Sequence, residues 1–254
     1  MISILVPTLG RAGKLAGVSA NIHEATASDH EVIFIAEPGD TATHEAVAQL
    51  PDRLHVNTHR ACYTGAINSA FPDAKGEYIF TAADDVGFHP GWDARVLAVM
   101  KDGIQVGGTN DLMNPQVLAG VMATHMLIGR AYIEGPGAAL DEPPGTVMFE
   151  GYGHHYGESE LVSLAIHRGV FAPCLDSVVE HVHWSRTGER DATTGLNEAR
   201  EAQDHDLCFA RCSRFTPPSA MASEEAYVAY ARQRIASRMP PHHPAQERCP
   251  VEDR

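Results

Sequence analysis

Residues 68–86 read NSAFPDAKGEYIFTAADDV. Residues 77–82 form a short apolar run, preceded by Gly76 and followed by the carboxylates Asp84 and Asp85, which is the pattern of a buried strand opening into a polar loop. Working outward toward the N-terminus, residues 63–71 have helical composition and residues 54–57 make a short strand. Before them come a helix at 41–50, a strand at 31–36, a helix at 14–27 and a strand at 2–6. This alternation predicts an α/β chain with a mostly parallel, Rossmann-like central sheet flanked by helices. In such sheets ligands collect beyond the carboxyl ends of the strands. Three loops there carry Thr8 with Arg11, Glu37 with Asp40, and Asp84 with Asp85. No GxGxxG follows the first strand, which argues against a dinucleotide site of the dehydrogenase type.

Downstream, residues 92–100 read as a helix, after which Gly107-Gly108, Asn114-Pro115 and the Gly- and Pro-rich stretch 135–145 predict irregular chain of the kind that forms binding lids. Between them, residues 117–129 are apolar enough for a buried strand. Residues 158–168 read as an amphipathic helix with Leu161, Leu164 and Ala165 inward and Gly169 as C-cap. A strand at 171–179 leads into Glu180-His181-Val182-His183-Trp184. Two polar helices, at 193–211 and at 223–238 with Ser223 as N-cap, are expected to be peripheral. The proline- and charge-rich residues 240–254 are expected to be disordered. The division expected is a main domain at 1–215 and a C-terminal helical extension with a flexible tail at 216–254.

The 254 residues carry 19 Lys and Arg against 33 Asp and Glu, a formal charge of −14. An acidic surface of this kind repels phosphate backbones and disfavours generic nucleic-acid binding. No apolar run approaches the ~20 residues of a membrane span. With a strand starting at Ile2 in place of a signal peptide, the expected location is cytoplasmic. The five cysteines are scattered without a CxxC pair, so no zinc ribbon or redox motif is indicated.

Several motifs fall together in a way that resembles the family-2 glycosyltransferases, over roughly residues 2–185. Val6-Pro7-Thr8-Leu9-Gly10-Arg11 resembles that family's first strand and donor loop, and Glu37 stands where the family places an acid against the nucleoside. The spacing from Asn68 through Gly76-Glu77-Tyr78 to Asp84-Asp85 resembles its acidic motif, with Ala83 replacing the first acid. Gly157-Glu158-Ser159-Glu160-Leu161 with Arg168-Gly169 is similar to the helix that presents the catalytic base, although Ser159 replaces an acid. His181 lies where many members have a metal-binding histidine.

The resemblance implies a GT-A fold and a metal-dependent, inverting transfer of sugar from a nucleotide-diphosphate sugar, most commonly a UDP-sugar. Pro7, Thr8, Arg11, Glu37, Asn68 and Asp84 would contact the donor, and Asp85 with His181 would hold Mn²⁺ or Mg²⁺. Oxygen ligands suit either ion, and an imidazole tilts the choice toward Mn²⁺. His183, two residues on, is the alternative to His181 as that ligand. Glu158 is the expected base, taking the proton of the attacking hydroxyl. Glu160 is the alternative and would point away from it on a helix. His155 and Trp184 are candidate acceptor contacts. The acceptor itself, whether a saccharide, a protein, a small molecule or a modified nucleic-acid base, is not specified, and an oligomer is compatible with the helix at 223–238. A catalytically silent nucleotide-sugar binding module and a nucleotidyltransferase are the competing readings.

Overall fold

The computed structural model describes residues 1–182, 188 and 200–238. Alternation of apolar strands with helices builds the first half as expected. Strands β1 (Ile2–Pro7), β2 (His30–Ala36), β3 (Arg53–Val56) and β4 (Tyr78–Thr81) alternate with helices α1 (Leu15–Ala25), α2 (Thr41–Val47) and α3 (Tyr63–Ala70). These four strands run parallel, with Ile4 level with Val32 on one side and Phe80 on the other. Both faces of β1 are covered, leaving Ile2, Ile4, Leu5 and Val6 at most 1% exposed. Near-continuous apolar sequence is what burial on two faces requires.

The second half departs from the expectation. Strand β5 (Val86–Phe88) follows the acidic pair directly, helix α4 is Trp92–Val99, and Gly107-Gly108 lie within a strand, β6 (Val106–Asn110). Glycine there answers to packing. A Cβ on Gly107 would come 2.6 Å from Val96 Cγ2, and one on Gly108 would come 2.8 Å from Ala123 Cβ. The apolar stretch 117–129 is mostly not a strand. It begins inside a short helix, α5 (Pro115–Leu118), capped by the Asn114 side chain, and only β7 (Met126–Gly129) is extended. Val117, Val121, Met122 and Ala123 are buried all the same, and burial, not extension, explains their composition.

Helix α6 is Arg130–Glu134, and helix α7 (Gly157–Arg168) ends at Gly169 with φ 71°, the left-handed cap expected. Strand β8 extends over Phe171–His181. Among the described residues the sheet order is β3-β2-β1-β4-β7-β6-β8-β5. Strand β7 is antiparallel to β4 and β6, β6 is parallel to β8, and β5 is antiparallel to β8. The C-terminal helices α8 (Glu201–Cys212) and α9 (Glu224–Ala236) are not peripheral. Ala231 and Ile235, one turn apart on α9, belong to the main core cluster, and Arg211 of α8 is ion-paired to Glu160 of α7. Their apolar stripes are too narrow to stand out in otherwise polar sequence. Ser223 caps α9 by accepting the Ala226 N–H. His183, Trp184, Cys249 and the expected tail at 240–254 lie outside the described residues.

Candidate active site

The carboxyl ends of β1, β2 and β4 open on a cleft of about 610 Å³ that also receives the start of β7, the end of β8 and the chain entering α7. Asp84 and Asp85 occupy the turn between β4 and β5. Asp84 is 4% exposed and accepts from the Thr8 hydroxyl at 2.7 Å and from Arg11 Nη1 at 2.7 Å. Burial raises its carboxyl above the usual value even beside Arg11. Arg11 Nη1 also reaches Asp85 at 3.4 Å. The loop after β1 is therefore tied to the acidic turn through charge-assisted contacts.

His181 is placed beside Asp85 by strand pairing. It stands opposite Val86 in the β5–β8 ladder, and the next N–H, of Val182, donates to the Asp85 carbonyl at 2.8 Å. The His181 Nε2 lies 3.7 Å from Asp85 Oδ1. Burial by itself would raise the Asp85 carboxyl, but His181 and Arg11 outweigh it and hold it at about 2. An imidazole nitrogen and a carboxylate oxygen facing one cleft are donors that fit Mn²⁺ or Mg²⁺. Among the described residues no three such groups gather, so a cation here would take its remaining ligands from phosphate oxygens and water.

Glu158 and Glu160 diverge as expected. Glu160 is 2% exposed and locked, with Arg211 donating to both its oxygens at 2.6 and 2.8 Å and the Tyr152 hydroxyl donating at 2.6 Å. Glu158 is half-buried in the cleft wall. Burial pushes its carboxyl up to about 7, the backbone N–H groups of Glu158 and Tyr156 restoring only part of the shift. That value suits a group that must exchange protons near neutrality.

Glu37, at the end of β2, lines the cleft and accepts from the Asn57 amide at 2.7 Å; Pro7 lines it as well. Asn68 does not line it. Its amide is buried in α3 and holds the chain at 147–148, donating to the Met148 carbonyl at 2.7 Å and accepting from the Val147 and Met148 N–H groups. His155 does line the cleft, and its loop is fastened by Asp204 of α8, which accepts the N–H groups of Gly153, His154 and His155 at 2.7 to 2.9 Å. Sequence reasoning missed Asp204, Tyr63 and His125. The Tyr63 hydroxyl donates to the Ala82 carbonyl at 3.2 Å, and burial holds it protonated. His125, just before β7, sits with its ring 5.6 Å from that of His181. Burial, then His181, brings its imidazole down to about 4. A lone histidine in the apolar run 117–129 was the only signal of it.

Comparison with known proteins bears on the family and the fold. The family model for glycosyl transferase family 2 matches residues 3–130. No curated protein matches the chain by sequence. Among solved structures, the chain is similar to the mannosyltransferase PcManGT from Pyrobaculum calidifontis in complex with GDP-Man and Mn²⁺, with TM-score 0.67 and 18% identity over 93% of this chain and 73% of that one. It is also similar to glucosyl-3-phosphoglycerate synthase from Mycobacterium tuberculosis in complex with Mn²⁺, UDP-glucose and phosphoglyceric acid, with TM-score 0.62 and 13% identity over 86% and 81%. At such identities the structural likeness speaks for the fold, and together with the family match over half the length it establishes that the chain belongs to glycosyl transferase family 2, with the GT-A glycosyltransferase fold.

Proposed function

We propose that the chain moves a sugar from a nucleotide-diphosphate sugar, a UDP-sugar by preference, to an acceptor hydroxyl with inversion. The observation that carries this reading is that the Asp85–His181 pair and Glu158 open on one cleft. Glu37 and Pro7 at the β2–β1 end receive the nucleoside, while Thr8 and Arg11 brace Asp84 against the diphosphate region. Asp85 and His181 hold Mn²⁺ or Mg²⁺, which when bound neutralises charge on the departing diphosphate. Glu158 accepts the proton of the attacking hydroxyl, and His155 borders the space where the acceptor lies. The acceptor's class is open to saccharides and to small hydroxylated molecules alike, and Trp184 is a candidate contact for it.

The test is nucleoside diphosphate release from UDP-glucose or GDP-mannose with and without Mn²⁺. Release should depend on the ion, and Asp85→Ala and Glu158→Gln should each lower kcat by about 10² to 10⁴. Equal turnover by parent and both variants removes the mechanism. Pyrophosphate as the product would establish nucleotidyl transfer instead, and binding without turnover by the parent would establish a silent module.

A further inference from the structure

One polar atom of the cleft is left without work by the roles above. His125 is 4% exposed and lines the cleft, and its Nε2 is buried with no hydrogen-bond partner among the described residues. Such atoms are rare, because burial costs the hydrogen bonds that water would have made. The other ring nitrogen, Nδ1, lies 3.1 Å from the Thr81 carbonyl oxygen. A carbonyl only accepts, so Nδ1 carries the proton and the neutral ring presents a bare lone pair at Nε2. The missing partner is therefore a hydrogen-bond donor or a cation, and a phosphate oxygen is neither.

Position across the sheet says which donor. In the order β2-β1-β4-β7, Glu37 follows β2, Thr8 and Arg11 follow β1, Asp84 and Asp85 follow β4, and His125 precedes β7. A nucleotide sugar is linear in the order nucleoside, diphosphate, sugar. With its nucleoside at Glu37 and its diphosphate at Asp85, the next strand along meets the sugar. A role for His125 as a further metal ligand fits less well, since no three donor groups gather among the described residues.

We propose that His125 Nε2 accepts a hydrogen bond from a hydroxyl of the transferred sugar and so helps to select the donor. The inference rests on the nucleotide-sugar reading and adds to it the group that reads the sugar.

The experiment measures binding, with Mn²⁺ present, of UDP-glucose or GDP-mannose, whichever the parent binds more tightly, beside the matching nucleoside diphosphate. A series of analogues carries fluorine in place of one sugar hydroxyl at a time, because fluorine cannot donate. In the parent, one analogue should bind about five- to tenfold more weakly than the natural sugar nucleotide, the size of one hydrogen bond. In His125→Phe the natural sugar nucleotide should weaken by the same factor, that analogue should lose its penalty, and the nucleoside diphosphate should bind as it does to the parent. Should His125→Phe fail to fold, the parent series with His125→Leu, which likewise has no acceptor, decides on the same terms. Equal weakening of nucleoside diphosphate and sugar nucleotide, an undiscriminated analogue series in the parent, or unchanged discrimination in the variant would each overturn the proposal. Failure of the parent to bind either sugar nucleotide would overturn the donor reading itself, and this inference with it.

Discussion

Glu158 and Glu160 stand two residues apart on α7 and are put to opposite uses. Their divergence was legible in sequence, since positions i and i+2 of a helix do not share a face. What silences Glu160 was not legible, because Arg211 approaches from fifty-one residues away. Breaking that buried pair with Glu160→Gln leaves Arg211 uncompensated and should cost about 3 kcal/mol or more in chemical denaturation. Glu158 gives a different signature. Its carboxyl, raised to about 7 from an ordinary 4.5, must be ionised to act, so kcat/KM should rise with pH up to about 7. An acidic limb near 4.5 in the pH–rate profile would show that another group is the base. Asp84 was likewise visible as a loop carboxylate, whereas its ties to Thr8 and Arg11, over seventy residues away, required the fold.

At the scale of elements, the βα alternation of the first half could be read directly because each strand is an apolar run bounded by turn residues. The second half could not. Gly107 and Gly108 signal loop in a local reading, yet they let α4 and β8 close on β6. Gly107→Ala should destabilise by about 1 to 3 kcal/mol, because the added Cβ meets Val96. An unchanged midpoint in urea would refute that packing role. Helix α8 shows the same limit, since nothing near Asp204 in the chain reveals that its carboxylate gathers three N–H groups around residue 154. Asp204→Ala frees that loop, and with it the approach to Glu158. The expected result is lower kcat together with faster amide exchange at residues 153–156, and activity unaffected by the change would detach α8 from the site.

For the whole molecule, the net charge of −14 disfavours polyanions at the average surface, and among the described residues no helix is long and apolar enough to cross a membrane. A buried imidazole, His125, and a half-buried one, His154, give this molecule a particular acid sensitivity. Burial, with a neighbouring histidine second, lowers both His125 and His154 to about 4, while unfolded histidine takes its proton near 6.5. Between these values each of the two histidines binds more protons in the unfolded chain than in the folded one and so lowers stability as pH drops from about 6.5 to about 4, while the raised carboxyls of Glu158 and Asp84 work the other way. Each histidine contributes up to about 1 kcal/mol per pH unit. Thermal midpoints of His125→Phe or His154→Phe that fall as steeply as the parent's across that window would contradict it.

The short ladder between β5 and β8 has a last consequence. Because Val86 is locked opposite His181 and the Val182 N–H holds the Asp85 carbonyl, the two candidate ion-holding side chains spring from adjacent rungs of one zipper. Their spacing is preset before anything arrives, so capture of an ion need not first freeze a wandering segment. After product departs, the same two groups are still facing each other, ready for the next cycle.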